Sequence, residues 1–255
     1  MAGFSGVALR RTALGATLVA LAAWPAGAQS DAGQSVTPAS DAAPFGHVVL
    51  LGDSTLDNKA YVGGGPDVAA QLRAALPAGW RVTLAAVDGA VTGDVPGQLR
   101  RAPREATHLV VSVGGNDALR QEGVLGEDAH SVGEALLRLA AVRDRFRRDY
   151  RDMLDAVLAR PRPLAVCTVY DPRFPNPVRR RAGAAGLALF NDAIAREAFA
   201  RGLPLVDLRL VCGEDADFAT PIEPSARGGA KIAAAIARFA TETRPLTRRS
   251  EVFVG

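Results

Sequence analysis

The chain has 255 residues, of which 48% are hydrophobic, and this is enough for one globular domain with a sizeable core. Its formal net charge is +3 at pH 7. Removal of residues 1–28 takes away two arginines and no acid, which leaves 28 basic against 27 acidic side chains and a net charge near +1. A balance this close to neutral argues little for a nucleic acid or an anionic membrane as a partner, so we expect no nucleic acid.

The first 45 residues are predicted to precede the folded domain. Residues 1–28 combine Arg10 and Arg11 with a mostly apolar run over 12–24 and small residues at the end, which is the pattern of a cleaved signal peptide. The run is short for a membrane span, so we expect none after cleavage; a retained anchor is the alternative. Residues 29–45, rich in Ala, Ser, Asp and Pro, indicate a flexible linker. The protein is therefore expected to be exported, either periplasmic or secreted.

Strand and helix patterns alternate through the predicted domain at 46–245. Apolar runs typical of buried strands lie at 48–51, 82–87, 108–113, 164–170 and 205–208. Segments with helical spacing lie at 67–76, 93–101, 131–158, 178–201 and 226–241. This alternation predicts an α/β fold, a three-layer α/β/α sandwich around a flavodoxin-like parallel sheet of about five strands. Residues 246–255 are assigned to a tail.

Three consecutive strand ends carry residues suited to acyl transfer. Ser54 follows the first strand, Gly89 follows the second, and Asn116 follows the third. Because ligands bind at the carboxyl ends of parallel strands, we expect these residues to converge. Acyl transfer by serine needs a nucleophilic hydroxyl and hydrogen-bond donors for the developing oxyanion. The three strand ends offer a hydroxyl, a backbone N–H and a side-chain amide.

These blocks resemble the SGNH/GDSL hydrolase superfamily, which is named after Ser, Gly, Asn and His. Gly52-Asp53-Ser54 matches its first block, Gly89 its second, Gly115-Asn116-Asp117 its third and residues 221–233 its fifth. The resemblance covers residues 47 to about 241 and implies an esterase, lipase or carbohydrate deacetylase that needs no cofactor and no metal. Its substrates would be small esters, lipids or acylated carbohydrates.

The resemblance also implies roles for individual residues. Ser54 would be the nucleophile, and Ser54 N–H, Gly89 and Asn116 would form the oxyanion hole. Asp53 and Asp117, which belong to the same blocks, would support the site. Asp57 and Asn58, just beyond the serine, either contact substrate or cap the following turn.

The fifth block departs from the family pattern at the residue that would act as the general base. The family has a histidine before Pro-Ser and an acid three residues earlier, whereas this chain has Glu223 and Thr220. An unperturbed glutamate, with a pKa of ~4.3, is a much poorer base than histidine. Burial would raise that pKa, and so would an acidic pocket formed with Glu214, Asp215 and Asp217. Those three acids could instead bind a metal ion or simply be solvated.

Two hypotheses about function follow from this departure. The first is an exported serine hydrolase that cleaves a carboxylic ester through an acyl-serine intermediate, with Glu223 as the base. The second is a binding protein of the same fold that has lost catalytic proton transfer. The residues do not distinguish hydrolysis from acyl transfer to another acceptor, and they do not predict the oligomeric state.

Histidines and cysteines elsewhere leave further alternatives open. His47 and His108 precede strands and are expected at the edge opposite Ser54. His130 follows the third strand and either folds over the site or lies on the surface. Cys167 and Cys212 are predicted near the ends of neighbouring strands, where an oxidising compartment would permit one disulfide; two buried free thiols are the alternative.

The segment after the fourth strand is a candidate part of the substrate pocket. Tyr170 and Arg173 lie there, on the edge of the sheet that should face the substrate. They either line an acyl or sugar pocket or belong to a proline-rich surface turn.

Overall fold

A computed structural model of the protein describes residues 46–242 and 250–254. The strands in these residues are β1 (His47–Gly52), β2 (Arg81–Leu84), β3 (His108–Ser112), β4 (Leu164–Cys167), β5 (Leu205–Val206), β6 (Phe218–Thr220), β7 (Glu223–Pro224) and β8 (Val252–Phe253). The α-helices are α1 (Val68–Ala75), α2 (Val95–Arg101), α3 (Gly115–Leu119), α4 (Val132–Leu158), α5 (Pro177–Ala200), α6 (Leu208–Val211) and α7 (Ala226–Glu242). Short 3-10 segments lie at Lys59–Tyr61, Thr92–Asp94, Glu122–Gly126 and Asp215–Asp217.

The main sheet is parallel and has the strand order β2-β1-β3-β4-β5-β8. Strand β1 lies between its partners, with Val48 opposite Val82 of β2 and His108 of β3. The first five strands therefore have the flavodoxin-like order, and the predicted α/β/α fold is confirmed. The remaining two strands, β6 and β7, form a separate antiparallel pair.

Helices cover both faces of the sheet, which explains why its central strands are continuous apolar runs. Because side chains alternate across a strand, Val48 and Leu50 of β1 join one buried cluster while Val49 and Leu51 join the other. The first cluster includes apolar residues of α1 and α7, and the second includes apolar residues of α4 and α5. The core therefore lies in two layers, and the carboxyl edge of the sheet remains for the site.

The predicted tail at 246–255 is wrong in part. Val252–Phe253 form β8, which pairs in parallel with β5. Phe253 is 4% exposed and its ring packs edge-on against Phe239 of α7, with 6.1 Å between centroids. Burial of this aromatic ring favours the docked strand. A two-residue strand is too short to show a period, so the sequence pattern did not reveal it.

The predictions for the N-terminus lie outside the described residues. The signal peptide at 1–28 and the linker at 29–45 therefore stay predictions. Among the described residues, no helix combines the length and the apolar character that a membrane crossing requires.

Cys167 and Cys212 are both free thiols in this structure, and both are buried. Burial raises the pKa of each thiol to about 12, because the thiolate would lose its hydration. The structure thus has the second arrangement considered above, two buried thiols, and not the disulfide.

Candidate active site

The turn after β1 presents Ser54 at the carboxyl edge of the sheet. Gly52 ends the strand with φ at +130°, and a Cβ atom there would lie 1.8 Å from the carbonyl oxygen of Ser112. Only glycine permits this close approach of β1 to β3. The N–H of Asp53 then donates to the same Ser112 oxygen at 3.0 Å, and the Asp53 carbonyl accepts from Asp57 N–H at 3.1 Å. These bonds fix the turn that carries the serine.

The hydroxyl of Ser54 donates a hydrogen bond to Glu223 Oε1 at 3.0 Å. Both residues are 7% exposed, and Glu223 reaches the serine from β7. Burial raises the pKa of Glu223 from its usual 4.5 to about 7; the hydrogen bond from Ser54 opposes this rise, and the negative charge of Asp88 adds to it. The second carboxyl oxygen, Oε2, is buried and has no hydrogen-bond partner in the described residues. The carboxyl group is thus in contact with the hydroxyl and has a pKa near neutrality.

Two side chains hold the backbone carbonyl groups of the residues before and after Glu223. The hydroxyl of Tyr170 donates to the carbonyl oxygen of Ile222 at 2.8 Å, and Asn58 Nδ2 donates to the carbonyl oxygen of Pro224 at 3.2 Å. Asn58 is fully buried, so of the two roles considered above it has a structural one. The role of Tyr170 was not predicted. Its position at the carboxyl end of β4 was the available signal.

Asn116 lies in α3, directly after β3, and contacts the loop that follows β2. Its Nδ2 donates to the carbonyl oxygen of Ala90 at 3.0 Å, which leaves the second amide hydrogen for another acceptor. Ser54 and Asn116 line one groove. The structure therefore brings together the predicted nucleophile, the predicted amide donor and Glu223.

Gly89 occupies the neighbouring turn with φ at +79°, a left-handed conformation that favours glycine. Among the described residues, neither Gly89 N–H nor Ser54 N–H donates a hydrogen bond to another group. Both donors are thus available to a substrate oxygen. Gly89 itself lines a separate depression and not the groove of Ser54, so its part in an oxyanion hole stays a prediction.

The two predicted supporting acids each hold a neighbouring loop. Asp53 Oδ1 accepts from the N–H of Thr55 at 3.0 Å, and burial raises the pKa of this aspartate to about 7. The carboxylate of Asp117 accepts from the N–H of Thr92 at 3.0 Å, and burial raises its pKa as well. Asp53 therefore shapes the serine turn, and Asp117 ties α3 to the Thr92–Asp94 segment.

The acidic pocket around Glu223, one of the alternatives considered above, does not form. Basic side chains lie within ion-pair distance of the three acids that would build it, Glu214, Asp215 and Asp217. Lys231 Nζ, for example, lies 2.8 Å from Asp217 Oδ2. These cations neutralise the acids, and burial raises the pKa of Glu223 instead. In the described part of the chain, no group of three or more His, Cys, Asp or Glu side chains could hold a metal ion.

None of the three histidines lines the groove beside Ser54. His130 is exposed, and its backbone N–H donates to the carboxylate of Glu134. It therefore lies on the surface, as one of the two alternatives stated. His47 and His108 begin β1 and β3, at the ends of the strands opposite the serine turn.

An apolar groove adjoins the serine. Its walls come from the Glu122–Gly126 segment, from α4 and α5, and from the residues that precede β7. Tyr170 also lines it, in agreement with a pocket role, whereas Arg173 does not line it and instead donates to the carbonyl oxygen of Gly213 at 2.6 Å. The apolar side chains that line it include Leu125, Leu139, Val142, Leu187, Phe190 and Ile222.

Residues 50–231 match the model of the GDSL-like Lipase/Acylhydrolase family. This match includes Ser54, Gly89, Asn116 and Glu223, and it covers well over half of the chain. No curated protein matches the sequence significantly.

Solved structures with the same fold include several hydrolases. An extracellular lipase from Streptomyces rimosus is 21% identical with a TM-score of 0.58, and the alignment covers 77% of this chain and 100% of the lipase. Phospholipase A1 from Streptomyces albidoflavus NA297 is 17% identical with a TM-score of 0.59, at 77% and 100% coverage. A catalytic mutant of an acetylxylan esterase from Geobacillus stearothermophilus is 16% identical with a TM-score of 0.54, at 78% and 96% coverage.

These similarities agree with the sequence blocks and with the strand order. At such identities the structural likeness shows the fold, and the family match shows the membership. The chain belongs to the GDSL-like lipase/acylhydrolase family and is a hydrolase of ester bonds.

Proposed function

We propose that the protein cleaves carboxylic esters through an acyl-serine intermediate, with Ser54 as the nucleophile and Glu223 as its general base. The observation that carries this proposal is the 3.0 Å hydrogen bond from Ser54 Oγ to Glu223 Oε1. A carboxyl with a pKa of about 7 is half ionised at neutral pH, so it accepts a proton far better than an ordinary glutamate does.

In the first half of the reaction, Ser54 Oγ bonds to the carbonyl carbon of the ester while its proton passes to Glu223 Oε1. The carbonyl oxygen gains the negative charge, and Ser54 N–H, Gly89 N–H and Asn116 Nδ2 donate hydrogen bonds to it. The bond between carbon and the alcohol oxygen then breaks. Glu223 returns its proton to the departing alkoxide, which leaves as the alcohol.

In the second half, a water molecule attacks the acyl-serine. Glu223 accepts one proton from this water as the new carbon–oxygen bond forms. When the bond to Ser54 Oγ breaks, Glu223 passes that proton to the serine, and the carboxylic acid is released. The carboxyl group thus acts alternately as base and acid, the role that histidine has in the family pattern.

The substrate is proposed to be a small ester, a lipid or an acylated carbohydrate. The names of the structural neighbours, a lipase, a phospholipase A1 and an acetylxylan esterase, span this range. We also propose that the protein is exported, on the strength of the pattern in residues 1–28. The N-terminal sequence of the mature protein, purified from the periplasm or the medium, tests export; a start near Gln29 is expected.

Labelling by a fluorophosphonate probe tests the nucleophile. The native protein is expected to take up the probe, and the S54A variant is expected to remain unlabelled. The S112A variant is a matched control, because it removes another buried serine hydroxyl at the same edge of the sheet. If the native protein stays unlabelled, or if S54A labels as fast as the native protein, the proposal is wrong.

A further inference from the structure

The groove beside Ser54 is lined mostly by apolar side chains, and its walls from α4 and α5 are apolar. Leu139 and Val142 of α4 line it from one side, and Leu187 and Phe190 of α5 line it from another. These side chains carry no hydrogen-bonding group. A sugar hydroxyl placed against these helices would lose its water and gain no hydrogen bond from the four side chains, whereas a methylene group would gain from leaving water.

Polar residues that do not line the apolar groove act on Glu223. Tyr61 OH donates to Asp88 Oδ2 at 2.7 Å, and Asp88 N–H donates to Asp57 Oδ2 at 3.1 Å. These bonds are exposed to solvent, and the charge of Asp88 acts on Glu223. The alcohol of the ester must leave next to Glu223, which returns its proton. The polar loops therefore suit the alcohol, and the apolar groove suits the acyl chain.

The apolar lining continues beyond the groove along one face of α4. Val132, Leu136, Leu139 and Val142 are spaced by four, three and three residues, so they lie on the same face of the helix. The last two line the groove, while Leu136 is 60% and Val132 is 78% exposed. An apolar surface of this length exceeds what an acetyl group can cover.

We propose that the groove binds the acyl chain of the ester, so that the preferred substrates carry an aliphatic chain of several carbons and not an acetyl group. This inference rests on the proposed function, because the groove can hold the acyl chain of the reacting ester only if Ser54 is the nucleophile. Each methylene buried in the transition state contributes about fourfold to kcat/KM, from ~0.8 kcal/mol per group. An octanoyl ester is therefore expected to exceed an acetyl ester in kcat/KM by at least about tenfold, even if few of its methylenes are buried.

Gly186 offers a way to fill the groove. It lines the groove from α5, its φ is not left-handed, and a Cβ atom there would meet nothing within 4 Å. Gly183, which also lines the groove, is unsuitable because a Cβ atom would lie 3.2 Å from Pro172. The variant is G186F, and A185F is its matched control, since Ala185 is exposed on the same helix and does not line the groove.

The experiment measures kcat/KM for p-nitrophenyl acetate, butyrate and octanoate with the native protein, G186F, A185F and S54A. We expect the native protein to favour octanoate and G186F to lower the ratio of its octanoate kcat/KM to its acetate kcat/KM by at least tenfold. A185F should behave as native. Competitive inhibition by free octanoate, stronger than that by acetate, gives a second readout that needs no variant.

Methyl octanoate and octyl acetate then separate the two sides of the ester. Faster hydrolysis of methyl octanoate is expected, and faster hydrolysis of octyl acetate would place the alcohol in the groove and overturn the inference. A preference for acetate with no effect of G186F would also overturn it, while the proposed function would stand if S54A were inactive. Activity retained in S54A would instead refute the proposed function.

Discussion

Ser54 and Glu223 are 169 residues apart in sequence and are joined by a 3.0 Å hydrogen bond at the carboxyl edge of the sheet. The sequence resemblance predicts a histidine at the position of Glu223. Histidine serves as a base because its pKa lies near neutrality. Burial gives Glu223 a similar pKa, of about 7, by a different physical route. In the proposed mechanism, desolvation of a carboxylate takes the place of the intrinsic basicity of imidazole.

The pH dependence of hydrolysis follows from this pKa. Because the base must be ionised to accept the proton of Ser54, kcat/KM should rise with pH through about 7 and then level off. The measurement is kcat/KM between pH 5 and 9 with p-nitrophenyl acetate, corrected for spontaneous hydrolysis. A profile already level at pH 5 would mean that Glu223 has an ordinary pKa or is not the base.

The buried carboxyl should also reduce stability above neutral pH. Between about pH 4.5 and 7 the folded chain keeps a proton that the unfolded chain has released, so the free energy of unfolding falls as pH rises through this window. E223Q has no such proton. At pH 8 we expect E223Q to be more stable than the native protein by up to about 3 kcal/mol, and at pH 4 the two should be similar. Urea unfolding at both pH values measures the difference.

Glu197 provides a control of opposite sign. Burial opposes its ionisation, but hydrogen bonds from Arg201 and Arg147 dominate and lower its pKa to about 2. Its contribution to stability is present above the unfolded pKa and is lost as pH falls through the folded pKa. E197Q should therefore destabilise the protein at pH 8 and have less effect near pH 3. If E223Q also destabilised the protein at pH 8, the raised pKa of Glu223 would be contradicted.

Tyr170 should act as a positioning residue for Glu223. Its hydroxyl holds the carbonyl of Ile222, so Y170F frees the peptide unit before Glu223 without touching the substrate carbonyl. We expect kcat to fall by roughly tenfold with KM nearly unchanged, and stability to fall by about 1 kcal/mol. Y150F is the matched control, because the buried Tyr150 hydroxyl has no hydrogen-bond partner among the described residues. Equal kinetics for Y170F and Y150F would exclude the positioning role.

Asn116 should stabilise the transition state of hydrolysis by a hydrogen bond to the oxyanion. Its Nδ2 donates to Ala90 and has a second hydrogen available for the oxyanion. Removal of one such donor costs about 10²–10³ in kcat in serine hydrolases, so N116A should lose a comparable factor with little change in KM. N116D, which places an acceptor at the same position, should lose at least as much. An N116A variant with native kcat would remove Asn116 from the oxyanion hole.

Much of the fold was predictable because its signals are local. Continuous apolar runs identified the first five strands, and the parallel order brought Ser54 and Asn116 to one groove as expected. Strand β8 was missed because two residues carry no period.

The environment of Glu223 was less accessible from sequence. The acids considered as its neighbours pair instead with Lys231 of α7 and Arg180 of α5, and the packing of these helices determines both pairings. Tyr170 donates to a backbone carbonyl, and every residue type offers such an acceptor, so the sequence does not reveal this contact. Burial by residues distant in sequence sets the pKa of Glu223, and contacts to the backbone set its position.

The hydrolytic activity of E223Q tests the pairing of Ser54 with Glu223 most directly. Glutamine keeps the size of the side chain and an oxygen for the Ser54 hydrogen bond, but it cannot take up the serine proton. We predict that kcat/KM for p-nitrophenyl acetate at pH 8 falls by about 10²–10⁴, the usual contribution of a general base, while the variant remains folded. An E223Q protein with near-native kcat/KM would contradict the account.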